Sequence, residues 1–71
     1  MEEFHLRQED EFIKLGQVLK ATGLVDSGVV AKEVIQNGEV KVNGEVDTRR
    51  GRKLYDGDLV EFENQTVQIL K

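Results

Sequence analysis

Cysteine and proline are both absent from the chain, and His5 is its only histidine. Without cysteine there is neither a disulfide framework nor a thiolate metal site, and one histidine leaves a transition-metal centre short of its usual ligands. No metal is expected. No run approaches the roughly 20 apolar residues that span a bilayer. The first residues, MEEFHLRQEDEF, are acidic and lack the basic and apolar regions of a secretory signal. The expectation is a soluble cytoplasmic protein with no membrane partner.

What is present is a short acidic chain of 71 residues with a formal charge of −4. That length suits one domain over residues 1–71. A domain this small buries only roughly 60% of the surface its unfolded chain exposes, so packing has to hold it together. The mean charge repels polyanions. A local basic patch can still act, because charges more than about 10 Å away are largely screened at ~0.1 M salt.

The periodicity changes twice along the chain. EFHLR alternates, with Phe4 and Leu6 on one face, as a half-buried strand does. Phe12, Leu15, Val18 and Leu19 then recur at helical spacing, with Asp10 as N-cap and Gly23 as stop, and predict a first helix over about residues 11–22. Asp26 or Ser27 caps a second helix with Val30, Ala31, Val34 and Ile35 as its apolar stripe and Asn37-Gly38 as its end. A two-residue period follows. Asn43-Gly44 signals a hairpin, for which a two-residue loop pairs Val40 with Asp47 and a three-residue loop pairs Val40 with Val46. The hydrophobic pattern favours the second. Further turns are expected at Asp56-Gly57 and Asn64-Gln65, bounding strands through Leu59 to Glu63 and through Val67 and Ile69. No repeat, linker or low-complexity tract appears. The order describes an α+β fold, with two packed helices against one face of a small curved antiparallel sheet.

Catalytic constellations are nearly missing. Ser27 has no histidine near it in sequence and reads as a helix cap, Asp56 and Asp58 flank a turn glycine, and the glycines fall at caps and turns rather than in a phosphate-binding loop. No enzymatic activity and no cofactor are expected.

The segment KVNGEVDTRRGRK, residues 41–53, carries Lys41, Arg49, Arg50, Arg52 and Lys53 against Glu45 and Asp47. It holds a charge of +3 in a chain whose remainder carries −7. Such a run can be nothing more than a solvated loop covering a sheet edge. Two features argue for more: Lys32 projects from the second helix opposite Val30 and Val34, and the arginine fork suits bidentate phosphate contact. Apart from Tyr55 no aromatic residue interleaves with the cations, so phosphate contact on folded RNA fits better than a base-stacking platform.

From Ser27 through Gly44, with Gly57-Asp58 beyond, the chain resembles the S4 RNA-binding domain, and among its members the stand-alone single-domain bacterial proteins of the YaaA and YbcJ type. Ser27, Ala31, Lys32, Val34, Ile35, Gly38, Val40, Val42, Asn43, Gly44, Gly57 and Asp58 fill the family pattern over roughly residues 15–62. The resemblance implies the S4-like (αL) arrangement of a helix pair and curved sheet. It also implies an RNA-binding surface to which Ser27 and Lys32 contribute from the helix, Lys41 from the hairpin and Arg49, Arg50, Arg52 and Lys53 from the loop. Gly28 stands where the family usually has arginine, and the loop cluster is expected to compensate. The implied partner is structured RNA, with ribosomal RNA or a ribosomal particle foremost and a role in ribosome assembly, and the protein is expected to be a monomer. DNA is a poor fit, since the second helix offers only Lys32 and carries Glu33. The rival from another class is a protein-interaction module whose basic loop docks an acidic protein surface.

Overall fold

The computed structural model describes residues 1–71 as seven strands and two helices. In chain order these are β1 (Glu2–His5), β2 (Ile13–Lys14), α1 (Leu15–Ala21), α2 (Gly28–Gln36), β3 (Val40–Val42), β4 (Glu45–Val46), β5 (Lys53–Leu54), β6 (Leu59–Phe62) and β7 (Gln65–Leu70). The main sheet runs β1-β7-β6-β3-β4, and β2 pairs with β5 in a separate two-stranded ladder. The α+β architecture agrees with the sequence pattern, with two departures: the separate β2–β5 ladder is not expected from it, and the main sheet is not wholly antiparallel. β1 lies parallel to β7, so that sheet is mixed. No hairpin joins these two strands, and nothing local forces them to run in opposite directions.

The second helix is built as its residues dictate. The Ser27 hydroxyl accepts the Val30 N–H at 3.3 Å, relieving one of the four donors that a helix start leaves unpaired. At the other end Gly38, with φ +79°, lets the Gly38 and Glu39 N–H groups turn back to the Ile35 and Val34 carbonyls. That is a Schellman closure, and it needs the left-handed conformation that glycine adopts without strain. Ala31 and Ile35 are buried, Val34 is half-buried and Val30 is exposed.

The first helix starts four residues later than its periodicity suggests. Ile13 and Lys14 are drawn into the ladder with Leu54 and Lys53, which leaves Phe12 outside the helix and outside the core. Asp10 caps nothing; its carboxylate accepts the Arg7 Nε–H at 3.1 Å. Gly23 does end α1, with φ +77°. Leu15, Val18 and Leu19 belong to one buried core cluster with Ile35, Leu54, Val40, Val60, Val67 and Ile69.

The hairpin also corrects the hydrophobic argument. Lys41 faces Val46 and Val42 faces Glu45, so the loop is the two-residue Asn43-Gly44, both with positive φ. Val46 is exposed, and Asp47 takes the inward position beside Val40, buried to 6% exposure. The last turn is likewise shifted by one. Glu63-Asn64 form it, at φ +50° and +64°, because pairing Val60 with Val67 keeps both inside.

Candidate nucleic-acid interface

A buried carboxylate organises the basic loop. Asp47 Oδ1 accepts the Arg49 backbone N–H at 2.9 Å and the Arg49 Nε–H at 3.1 Å. Its Oδ2 accepts Arg49 Nη2 and Arg52 Nη1, each at 2.8 Å. The Arg49 bonds, and after them the Arg52 bond, hold the Asp47 carboxyl well below the usual carboxylate range although burial opposes this, and the same contact raises Arg49. Two of the three loop arginines are thus committed to closing the loop.

The loop is then fastened to α1. Leu15 and Gly16 donate their backbone N–H groups to the Arg52 and Arg50 carbonyls, both at 2.9 Å. These are donors that a helix start cannot satisfy internally. The fastening carries Arg50 to the mouth of the α1–α2 corner. There an open groove of about 350 Å³ is lined by Lys14, Gly16, Gln17, Lys20, Gly28, Lys32, Arg50 and Gly51. No acidic residue lines it.

The pairing of charges sharpens this. Of ten lysines and arginines, only Arg7, Arg49 and Arg52 have a carboxylate within 4.0 Å. Four of the seven others, Lys14, Lys20, Lys32 and Arg50, meet at this one groove. The α2 N-terminus opens onto it at Gly28, adding partial positive charge from the helix dipole. A Cβ at Gly28 would meet nothing within 4 Å, so the space is open.

The residues expected from sequence therefore separate in space. Lys32 and Arg50 line the groove. Lys53 lies beside it, directly opposite Lys14 across the β2–β5 ladder, with its Nζ 4.9 Å from the Phe12 ring centroid. Ser27 caps α2 from the next position in the chain. Arg49 and Arg52 hold Asp47. Lys41 projects from the sheet between Glu61 and Val46, in a depression shared with Glu39, Glu61 and Glu63. Lys14 and Lys20 were not singled out from the sequence. They lie 18 and 12 residues before Lys32, and only the α1–α2 corner brings them together.

The family motif has a structural part as well. Asn43 donates from its side-chain amide to Asp58 Oδ1 at 3.1 Å and accepts the Leu59 N–H at 2.9 Å, while Asp58 Oδ2 accepts the Tyr55 N–H at 2.8 Å. The Asn-Gly and Gly-Asp elements thereby tie two turns together. An S4 domain profile matches residues 4–70. The chain belongs to the S4 domain family. It is 53% identical over 55 residues, 78% of each chain, to a protein of Bacillus subtilis (strain 168) named as a probable ribosome maturation protein, RlbA. It is 40% identical over 58 residues, 82% of this chain and 83% of the other, to YbcJ of Escherichia coli (strain K12). The solution structure of Escherichia coli YbcJ, described as revealing an αL motif involved in RNA binding, superposes with a TM-score of 0.73 at 37% identity over all of this chain and 89% of that one. No helix is long and apolar enough to cross a membrane.

Proposed function

We propose that this S4 domain is a non-catalytic module that binds structured RNA through its phosphates at the groove of Lys14, Lys20, Lys32 and Arg50. The observation that carries the reading is the convergence of four cations without carboxylate partners in an acidic protein, around a glycine-lined opening. An open groove lined by no hydrophobic residue suits a sugar–phosphate backbone passing across it better than an enclosed small molecule. Arg50, whose backbone and Cβ lie against Gly16, lines the same groove as Gly28 and takes the part of the arginine that the family places on the helix, with Lys53 and Ser27 flanking it. Arg49 and Arg52 act one step back, by shaping the loop. The names of the relatives, one a probable ribosome maturation protein and one a putative RNA-binding protein, support an accessory role in ribosome maturation, for which we take ribosomal RNA as the target and the cytoplasm as the place.

The test is binding of the purified protein to structured ribosomal RNA fragments and to duplex DNA of equal length across a salt series. If the four cations each meet one phosphate, log affinity falls against log salt with a slope of roughly −3. Exchanging Lys32 and Arg50 for Gln flattens the slope by about half, while exchanging Lys41 leaves it unchanged. Equal affinity for the DNA, or a slope indifferent to the Lys32→Gln and Arg50→Gln pair, refutes the assignment. A cellular complex that survives complete RNA digestion would favour a protein partner instead.

A further inference from the structure

Two of the four aromatic residues stand outside the core, and they stand together. Phe12 and Tyr55 are 43 positions apart in sequence, yet their ring centroids lie 5.9 Å apart at an interplanar angle of 53°. The β2–β5 ladder joins them, since Phe12 immediately precedes β2 and Tyr55 immediately follows β5. Phe12 packs against none of the core cluster, and Tyr55 is 48% exposed. The ladder has no need of them for anchorage. Leu54 is wholly buried, and the Leu15 and Gly16 N–H bonds already clamp this end of the loop.

The pair is flanked by cations. Lys53 covers the Phe12 ring at 4.9 Å, Lys14 sits directly opposite Lys53, and Lys14 lines both the basic groove and the neighbouring depression that contains Phe12. That depression is also lined by Glu9, Asp10 and Glu11, which keep an anionic backbone on the Lys14–Lys53 side of the ladder, where the half-exposed Tyr55 follows β5 directly. Base–aromatic stacking accepts any base, because each has a π-face. A paired base keeps its faces inside the helix, so only an unpaired one can use the ring. We infer that Tyr55, braced by Phe12, is a stacking subsite for one unpaired nucleobase adjoining the phosphate groove. This rests on the phosphate-binding reading above and narrows its target to RNA with a bulged or looped-out base.

The experiment compares an RNA hairpin carrying a single bulged adenine with the same hairpin lacking it, for the wild type, Tyr55→Leu and Tyr55→Phe, each over a salt series. The wild type should prefer the bulged hairpin roughly tenfold, near the lower end of what one stacked base gives. Tyr55→Leu, which keeps apolar bulk on an exposed position, should lose that preference with its salt slope unaltered, and Tyr55→Phe should keep it. A wild type without the preference, or a Tyr55→Leu protein that retains it, overturns the stacking subsite and leaves phosphate binding standing. A wild type that binds neither hairpin at low salt overturns both readings together.

Discussion

Replacing Asp47 by Asn isolates what the buried carboxylate does. The amide oxygen can still accept the Arg49 N–H and Nε–H, but its NH2 group now faces Arg49 Nη2 and Arg52 Nη1, which are donors at 2.8 Å. Arg49 is 70% exposed and simply returns to water. Arg52 is only 29% exposed and Asp47 only 6%, so the loss falls on that contact. A hydrogen bond to a charged group has a net value of about 1.5–3 kcal/mol, and roughly 2 is expected here. For a domain of this size that lowers Tm by about 8–16 °C.

The pH dependence separates a charge effect from a shape effect. Asp47 is held below its ordinary range in the fold, by Arg49 first and Arg52 next, whereas in the unfolded chain it titrates at about 3.9. A group depressed in the folded state contributes stability that is complete above its unfolded pKa and is lost as pH falls below it. Other carboxylates titrate in both proteins, so the informative quantity is the difference between wild type and variant. Urea unfolding followed by far-UV circular dichroism should show a constant gap at pH 5 to 7 that narrows below about pH 4. A gap under roughly 0.5 kcal/mol at pH 7, where surface changes ordinarily fall, or a gap that stays constant down to pH 3, would refute the reasoning.

Three further outcomes follow from the same geometry. Gly28→Arg places a fifth cation in open space at the groove. The helix gains about 0.5–1 kcal/mol from losing a glycine and loses about as much to its own dipole, so stability should hold while the salt slope for RNA steepens by roughly 0.7–0.9. Glu63→Asn with Asn64→Gly puts residues that accept positive φ where Glu63 and Asn64 now adopt it, and chemical denaturation should show a gain of about 1 kcal/mol. Ile35→Ala empties a wholly buried position on α2 within the core cluster that also holds Leu15 and Leu54. It should cost about 2–5 kcal/mol in the same assay, and a loss below about 1 kcal/mol would mean that the helix pair is not the centre of the core.

Local chemistry was legible and remote pairing was not. Ser27 as cap, Gly23 and Gly38 as stops and Asn43-Gly44 as a turn all rest on interactions spanning a few residues, and each stands in the structure. Phe12, by contrast, fits the α1 stripe, but Ile13 and Lys14 follow Leu54 and Lys53 into a ladder whose partners lie some forty residues away. Placing Val46 inside assumes that an apolar residue outranks Asp47 for the inward position. It would, if Asp47 had no partners; two arginines reverse the preference, because a buried charge is tolerated when its lone pairs are filled. The groove was half legible for the same reason. Lys32 and Arg50 were visible in the basic pattern, while Lys14 and Lys20 carry no local signal and acquire their meaning from the corner between the helices.

That pairing also changes what the basic segment is for. Its five cations look interchangeable in sequence, yet Arg49 and Arg52 are held by Asp47, Lys53 lies over Phe12, Lys41 stands among glutamates, and Arg50 alone reaches the groove. An arginine presented at the groove needs a loop that holds it there, and a loop without proline needs an internal brace. Asp47 is that brace, and it requires arginines of its own. The density of positive charge in residues 41–53 is then partly structural, which makes a distinction that bulk charge removal cannot. Arg50→Gln should weaken RNA binding and leave Tm unchanged, whereas Arg52→Gln should lower Tm first and affect RNA binding only through the loop. If the two substitutions behave alike in both assays, the division of labour within the segment is wrong.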